Sequence, residues 1–403
     1  MSDIEDKIKE YAKKFAVKNA FDYGKARSEI VINKVFLELK IDNIDVDRVR
    51  EIVEEVVNEI NALPIETIRS MIKDYTFLEK KQREGLPDLE WVVKNITVNT
   101  RFAPNPSGFL HIGHAKIAIL CDEYSKKYNG KFYVRFEDTD PKTKKPLLEA
   151  YNSIIDDLKW LGCSISGIFK QSERIDLYYA YAKKLIEMER AYVCLCSSDE
   201  MRKNREIGNA CICRSADIST NLKRWEEMRT SYKEGEAVLR LKTDMLHSNP
   251  SVRDWIMFRI IESEHPIVGF KYRAWPLYNF ASVIDDYKIG VNLVIRGNEH
   301  DINGIKQAYL YKALNLMPPH IMTVGIIRVT GSLAHKSDII KAIQNGEITG
   351  WDDPRAPTVS GFRNKNISAM AIRKYVIDSG IGKNDSVLDM KKLIAESKKI
   401  QHN

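Results

Sequence analysis

Two histidines near the start of a predicted helix are the residues best suited to bind a phosphate chain. His111 and His114 are three residues apart, so the first helical turn places them on one side. A β-rich run over 96–102 leads into a tight turn, and an apolar helical pattern extends from His111 to about Tyr128. The free N–H groups and positive dipole end of such a helix suit anions, and both imidazoles can donate hydrogen bonds to phosphate oxygens. Gly113 would let a flat ring or the ligand backbone approach without a Cβ in the way.

A carboxylate cluster follows the next predicted strand. Residues 131–136 form a buried strand pattern, so the segment predicts a βαβ unit. Glu137 follows this strand directly, and ligands of open α/β sheets bind beyond the carboxyl ends of the strands. We therefore expect Glu137 to receive an ammonium group. A second interpretation, in which Asp138, Thr139 and Asp140 cap the next helix, is compatible with the first.

Four of the six cysteines form two Cys-x-Cys pairs. Cys194 and Cys196 are followed, after fourteen intervening residues, by Cys211 and Cys213. Four thiols are the number that a tetrahedral zinc site needs, although Cys-x-x-Cys is the commoner spacing. Zinc is favoured over four unmodified thiols, and it would be structural because no water-activating His or Glu accompanies the cluster.

Composition restricts the class of protein. The 403 residues are 44% hydrophobic and 30% charged, which is typical of a folded chain of two or three domains. The formal net charge of +7 permits a polyanionic partner without requiring one. The charged N-terminus has no apolar targeting core, and no apolar run approaches a membrane span, so we expect a cytoplasmic protein.

The fourteen residues Arg101–His114 resemble the signature of class I aminoacyl-tRNA synthetases. The surrounding sequence is similar to glutamyl-tRNA synthetases of the archaeal type, as in Lys18–Ala20, Gly24–Ala26 and Gly350–Arg355. The resemblance covers nearly all of the chain. The β-barrel anticodon-binding domains of full-length relatives are not expected within these 403 residues.

The resemblance implies an α/β fold: a doubly wound, Rossmann-like parallel sheet with an insertion, preceded by a helical bundle and followed by a helical segment. The predicted parts are 1–95 for the N-terminal helical extension, 96–192 for the first half of the nucleotide-binding domain, 193–270 for the cysteine-containing insertion, 271–330 for the second half, and 331–403 for a lysine loop and helices.

The insertion is expected to contact the acceptor end of tRNA. Alternating patterns predict strands over 236–241 and 253–255. A basic helix is predicted over 221–233. Its cations, Lys223 and Arg229 among them, could face phosphates, but a solvated charged face is favoured.

The resemblance also implies the residues of an ATP site and a glutamate site. ATP would be bound by His111, Gly113, His114, Lys336 and Ser337, of which His111, His114 and Lys336 would be catalytic. Glutamate would be bound by Arg101, Ala103, Asn105, Glu137, Tyr278, Ser282 and Arg296. Arg296 ends an apolar strand, where its guanidinium can grip a carboxylate. A neutral amide would leave it unpaired, so glutamate is favoured over glutamine.

The segment that should carry the mobile catalytic lysine departs from the family pattern of Ser-Thr-Ser-Lys followed by basic residues. When the family pattern is aligned at Gly346, Asp338 occupies the position of the family lysine. Ile339 and Ile340 occupy the positions of the basic pair. Lys336 is the nearest substitute for stabilising charge on the ATP phosphates, and an aspartate close to them would oppose it.

The implied activity is that of a glutamate–tRNA ligase. ATP and Mg²⁺ would serve the formation of glutamyl-adenylate, and the acceptor end of tRNA would receive the glutamyl group. One alternative is a truncated paralogue that glutamylates a different acceptor. Another is a catalytically disabled protein that binds tRNA or regulates, which the altered lysine loop favours and the intact histidine motif opposes.

Overall fold

A computed structural model describes residues 2–39, 46–77, 85–93, 95–331, 333 and 335–402. The chain forms two compact units, Met1–Arg83 and Glu84–Asn403, and each unit is described by itself. The division predicted at residue 95 falls inside the second unit, because Leu86 and Leu89 pack in its core.

The first unit is helical and encloses a small apolar core. Its helices are α1 (Ser2–Tyr23), α2 (Ser28–Leu39), α3 (Val46–Asn61) and α4 (Ile65–Met71). The apolar stripe of α3 is buried at helical spacing from Val49 to Ile60. In α4, Ile68 is buried while Ile65 is exposed.

The second unit contains eleven strands and eleven helices among the described residues. In chain order they are β1 (Thr100–Phe102), α5 (Ile112–Lys127), β2 (Phe132–Phe136), α6 (Leu148–Trp160), β3 (Ile165–Lys170), α7 (Ile175–Glu187), β4 (Ala191–Cys194), α8 (Ser198–Ile207), α9 (Ile218–Thr230), β5 (Val238–Leu241), β6 (Ile256–Ile260), β7 (Ala274–Pro276), α10 (Tyr278–Ile289), β8 (Leu293–Gly297), α11 (Asp301–Ala313), β9 (His320–Val324), β10 (Ile327–Arg328), α12 (Lys336–Gln344), α13 (Val359–Asn364), α14 (Ala369–Ser379), β11 (Ser386–Val387) and α15 (Met390–His402).

A five-stranded sheet organises this unit. Its strand order is β3-β2-β1-β8-β9, and every neighbouring pair is parallel. The predicted βαβ unit is confirmed as β1, α5 and β2. The chain order reverses between β1 and β8, and such a switch point opens a crevice beyond the carboxyl ends of the strands. The doubly wound parallel sheet is therefore confirmed.

The predicted insertion, 193–270, belongs to a separate antiparallel sheet of β4, β5, β6 and β7, which extends beyond those bounds to Ala191 and Pro276. The strand predicted over 236–241 corresponds to β5, but the strand predicted over 253–255 is wrong, since β6 begins only at Ile256. Asp254 has a φ of 39°, and its buried carboxylate accepts hydrogen bonds from Tyr192 and from the backbone N–H of Thr243. This polar residue makes a turn that ties two strands together.

The C-terminal part is mainly helical. The helices expected in this part include α14 and α15, and Ser386 before α15 belongs to β11, which pairs in parallel with β10. Among the described helices, none is both long and apolar enough to cross a membrane.

Candidate active site

The turn between β1 and α5 is fixed by hydrogen bonds of its own residues. His111 precedes the helix, and its Nδ1 atom accepts a hydrogen bond of 3.1 Å from the backbone N–H of Gly113. The imidazole is therefore the N-cap of α5, which stabilises the helix start. A Cβ at Gly113 would lie 2.6 Å from the carbonyl oxygen of Ile327. The sequence predicted that a ligand would approach Gly113 closely. On this face of Gly113, the group that approaches is instead the protein backbone.

The segment around 350–355 braces this turn. Gly108 lies directly against Trp351. A Cβ on Gly108 would be 2.5 Å from the indole ring, so a larger residue would not fit there without a shift. A few residues further on, the carbonyl oxygen of Pro357 accepts a hydrogen bond of 3.0 Å from the backbone N–H of Ile112. The conformation of the turn thus depends on a segment more than two hundred residues away in the chain.

Lys336 is the first residue of α12 and extends its ammonium group to the same turn. Its Nζ atom lies 3.5 Å from the carbonyl oxygen of Asn105 and 3.4 Å from that of Gly108. It lines a cavity of about 240 Å³ together with the two histidines of the turn. Burial, and then repulsion from Lys144, lower the pKa of Lys336 to about 8. The substitute lysine proposed from the sequence is therefore placed at the predicted phosphate site.

Asp338, at the position of the family lysine, caps its own helix. Its Oδ2 atom accepts a hydrogen bond of 3.1 Å from the backbone N–H of His335, three residues earlier. Ile339 is buried in an apolar cluster with Trp351. Ser337 is exposed and is not among the residues that line the described cavities. Helix capping and burial therefore fix the register of this loop.

His114 is held as a neutral imidazole. Its side chain is open to the cavity, but the surrounding fold desolvates it, and the positive charge of Lys336 acts in the same direction. Together these effects lower the pKa of His114 to about 4. Its ring lies 6.2 Å from that of His111, edge to face. A neutral ring at pH 7 retains one N–H that can be donated to a phosphate oxygen.

A cavity of about 360 Å³ lies at the switch point between β1 and β8. Most of the residues predicted to bind glutamate line it: Arg101, Ala103, Asn105, Glu137, Tyr278 and Arg296. His114 and Lys336 line it as well, so it adjoins the cavity at the start of α5. The predicted ATP site and glutamate site are thus neighbours in the fold.

A buried carboxylate of α10 joins two arginines of this region. The Oδ1 atom of Asp286 accepts hydrogen bonds of 3.2 Å from Nε of Arg101 and 2.5 Å from Nη1 of Arg135. Its neighbour Asp285 accepts one of 2.7 Å from Nε of Arg174. Sequence reasoning did not identify Arg135 or Asp286 as site residues. The sequence signal that could have identified them was a charged residue at an otherwise apolar position, which is a strand position for Arg135 and a helix position for Asp286.

Glu137 faces the cavity but is already tied to the protein. Its Oε1 atom accepts hydrogen bonds of 2.9 Å from Nη2 of Arg135 and 3.3 Å from Oγ of Ser282. Ser282 is fully buried and does not line the described cavities, so its influence on a ligand passes through Glu137.

The prediction that Asp138, Thr139 and Asp140 cap the next helix is wrong. Asp138 is buried and accepts hydrogen bonds from the hydroxyl groups of Tyr151 and Ser172. Asp140 accepts one from the backbone N–H of Thr143 and so closes a turn before α6. The start of α6 itself has no side-chain cap.

A larger cavity of about 550 Å³ adjoins the first. The two share Asn105, Glu137, Lys144, Tyr278 and His300. Its other lining residues include Arg205 of α8 and Lys306 of α11. Burial, and then repulsion from Arg205, lower the pKa of Lys306. The three cations Lys144, Arg205 and Lys306 outnumber the carboxylates of Glu137 and Asp140 in this lining, which favours an anionic ligand.

The four predicted zinc ligands are brought together in the insertion. The sulfur atoms of Cys194, Cys196, Cys211 and Cys213 all lie within 4.8 Å of one another, and none is in a disulfide. Those of Cys194 and Cys211 are 3.6 Å apart. Tetrahedral zinc with Zn–S bonds of about 2.3 Å holds its sulfur atoms about 3.8 Å apart, so this donor set fits the ion.

The second unit combines three features, namely a parallel nucleotide-binding sheet, a histidine-containing turn after its first strand, and a lysine from a later loop. Together they define the catalytic domain of a class I tRNA synthetase. Residues 97–402 match the family model for "tRNA synthetases class I (E and Q), catalytic domain", and the chain belongs to this family.

Similar curated proteins come from archaea and are glutamate–tRNA ligases. The chain is 41% identical over 404 residues to that of Pyrococcus furiosus, 42% over 405 residues to that of Thermococcus kodakarensis, and 40% over 401 residues to that of Methanopyrus kandleri. Each match covers 98% of this chain and 70% of the relative.

Solved structures support the fold. A glutamate tRNA ligase from Elizabethkingia meningosepticum, solved with its amino acid, matches with a TM-score of 0.55 at 18% identity, over 76% of this chain and 70% of the other. The glutamate–tRNA synthetase of Elizabethkingia anophelis matches with a TM-score of 0.54 at 19% identity, over 76% and 71% of the two chains.

Proposed function

We propose that this protein activates glutamate with ATP and transfers the glutamyl group to the 3′ end of tRNA. The observation that carries the proposal is that Arg101 and Arg296, from neighbouring parallel strands, line one cavity with Glu137. Two guanidinium groups suit the two carboxylates of glutamate, and one carboxylate suits its ammonium group. Glutamine has a single carboxylate, so it would leave Arg296 without an anionic partner.

ATP would bind at the start of α5, where helix N–H groups, neutral His114 and cationic Lys336 meet. Mg²⁺ would accompany the nucleotide and share the charge of its phosphates. In the first step the glutamate α-carboxylate attacks the α-phosphate and pyrophosphate leaves. The side chains position the reactants and stabilise developing charge, and none of them has to act as a nucleophile.

Lys336 would take the role of the family lysine from a different position in the chain. Its ammonium group already reaches the turn, and Asp338 is occupied with capping α12. This placement favours an active enzyme over the catalytically disabled alternative.

The second step would take place between the two cavities. A terminal ribose hydroxyl of tRNA attacks the acyl carbon of the adenylate, the bond from that carbon to the phosphate oxygen breaks and AMP leaves. The basic cavity with Arg205 and Lys306 would hold the acceptor end. The names of the archaeal relatives support tRNA over a different acceptor, and the reaction would be cytoplasmic.

The four cysteines would hold a structural Zn²⁺. The sulfur positions support this, and Cys194 ends a strand of the insertion sheet, so the ion would fix one end of that sheet. Zinc would supply stability to the acceptor-binding part and take no part in the reaction.

The direct test is charging of total tRNA with radiolabelled glutamate. Wild-type protein is expected to form acid-stable glutamyl-tRNA, and Arg296→Ala is expected to lose at least tenfold in kcat/KM for glutamate. Arg69→Ala, at an exposed position of α4, serves as the matched control. Failure of folded wild-type protein to charge any tRNA would contradict the transfer step.

A further inference from the structure

A chain of side-chain amides connects Arg296 to His300. Nη1 of Arg296 donates a hydrogen bond of 2.8 Å to Oε1 of Gln307, and Nε2 of Gln307 donates one of 3.2 Å to Oδ1 of Asn279. Nδ2 of Asn279 donates one of 3.0 Å to Oδ1 of Asn303. Nδ2 of Asn303 lies 3.0 Å from Nδ1 of His300. Three amides therefore join a residue of the glutamate cavity to a histidine four positions later in the sequence.

The direction of every bond in this chain follows from its first member. A guanidinium has donors only, so the amide oxygen of Gln307 must face Arg296, and the NH₂ group then faces Asn279. The NH₂ group of Gln307 in turn requires the amide oxygen of Asn279 to face it, and the NH₂ group of Asn279 requires the amide oxygen of Asn303. The chain ends with an N–H of Asn303 directed at Nδ1 of His300, which must accept. The proton of the neutral ring is therefore on Nε2.

The surroundings keep this ring neutral. Burial lowers the pKa of His300; Glu137 and Glu299 act against this, Arg296 and Arg101 act with it, and the net shift is downward. Nε2 is 3.9 Å from a carboxylate oxygen of Glu299, which is beyond hydrogen-bond distance. His300 lines both the glutamate cavity and the larger cavity beside it.

We propose that His300, with its proton on Nε2, donates a hydrogen bond to the side-chain carboxylate of bound glutamate, and that Asn303 is the positioning residue that fixes this tautomer. The inference rests on the proposed activation of glutamate. A carboxylate accepts from Arg296 and from Nε2–H together. The NH₂ group of glutamine would meet a donor at Arg296 and another donor at Nε2–H of His300. The opposite tautomer of His300 would offer it an acceptor. The chain of amides thus contributes to the exclusion of glutamine.

Nuclear magnetic resonance of the full chain labelled with ¹⁵N-histidine tests the tautomer, with His300→Phe used to assign the signal. The wild-type ring is expected to be protonated at Nε2 and to shift on addition of glutamate but not glutamine. Asn303→Asp, whose side chain only accepts, is expected to place a proton on Nδ1. A wild-type ring protonated at Nδ1, or one indifferent to glutamate, would overturn the proposal.

Kinetics test the consequence. The ratio of kcat/KM for glutamate to that for glutamine, measured by ATP–pyrophosphate exchange, is expected to fall about 10- to 100-fold in His300→Phe and in Asn303→Asp. His320→Phe, an exposed histidine of β9 outside the described cavities, is the matched control and should keep the ratio. An unchanged ratio in His300→Phe, shown to be folded by its thermal unfolding, would refute the role. If wild-type protein shows no exchange, the proposed function fails, and the response of the His300 signal to glutamate still decides the inference.

Discussion

The Nζ atom of Lys336 lies 3.4 Å from the carbonyl oxygen of Gly108, in the turn that precedes the histidine-bearing helix. This contact links the altered lysine loop to the predicted phosphate site. We expect Lys336→Ala to lower the rate of glutamate-dependent ATP–pyrophosphate exchange by about 10²- to 10³-fold, as for other groups that stabilise developing charge. The rate is measured at saturating glutamate.

Lys341→Ala is the control for this loop, since Lys341 is an exposed lysine of the same helix and lines none of the described cavities. Its rate should stay within about twofold of wild type, because surface substitutions away from special features change little. Equal losses in both variants would mean that the loop, and not the ammonium group, is what matters.

The pH dependence of the free enzyme should report Lys336. Its pKa is lowered to about 8, so the cationic form that binds phosphate is present below pH 8 and is lost as the pH rises through that value. We expect kcat/KM for ATP to fall above pH 8. His114, with a pKa near 4, stays neutral throughout and adds no acidic limb between about pH 5 and 7. A profile that is flat to pH 10 would contradict this assignment.

Removal of the Asp286 carboxylate should destabilise the protein. Asp286→Ala leaves Arg101 and Arg135 without their shared buried partner. Breaking a buried ion pair in this way typically costs about 3–5 kcal/mol in the free energy of unfolding, and KM for glutamate should rise because Arg101 loses its support. Chemical denaturation and kinetics measure the two effects.

Asp378→Ala is a suitable control for this substitution. Asp378 is half exposed on α14 and pairs only with Lys374, at 3.7 Å, among the ion pairs of the described residues. The free energy of unfolding should change by less than about 1 kcal/mol. If Asp286→Ala were equally mild, the buried network would not hold the arginines.

Zinc content should follow the four-cysteine cluster. Purified protein is expected to contain about one equivalent of zinc, and Cys194→Ser should reduce it and lower the temperature of thermal unfolding. Cys163→Ser, a buried cysteine outside the cluster, is expected to keep the metal. Protein that unfolds at the same temperature before and after exhaustive chelation would show that zinc contributes nothing to stability.

The fold around the first turn could be predicted because local signals agree with one another. Two β-rich apolar runs, the turn after the first and an apolar helix between them each point to the same βαβ unit, and helix α5 follows His111 as expected. The prediction at 253–255 failed because Asp254 looked like part of an alternating pattern. Its buried carboxylate instead bonds to Tyr192 and Thr243, which only the tertiary fold brings near.

The candidate site also has a part that the sequence predicts and a part that depends on the tertiary fold. Arg101, Glu137 and Arg296 lie at ends of strands, so their convergence follows from the topology of a parallel sheet. The pairing of Asp286 with Arg135 could not be predicted, since 151 residues separate the two. The capping role of Asp338 was within reach, because a residue three positions into a helix commonly bonds to the backbone before it.

Glutamate-dependent ATP–pyrophosphate exchange, measured with and without total tRNA, tests the central claim most directly. We expect exchange with glutamate, much less with glutamine, and loss of exchange in Lys336→Ala. Absence of exchange under both conditions, in wild-type protein shown to be folded and supplied with Mg²⁺, would contradict it.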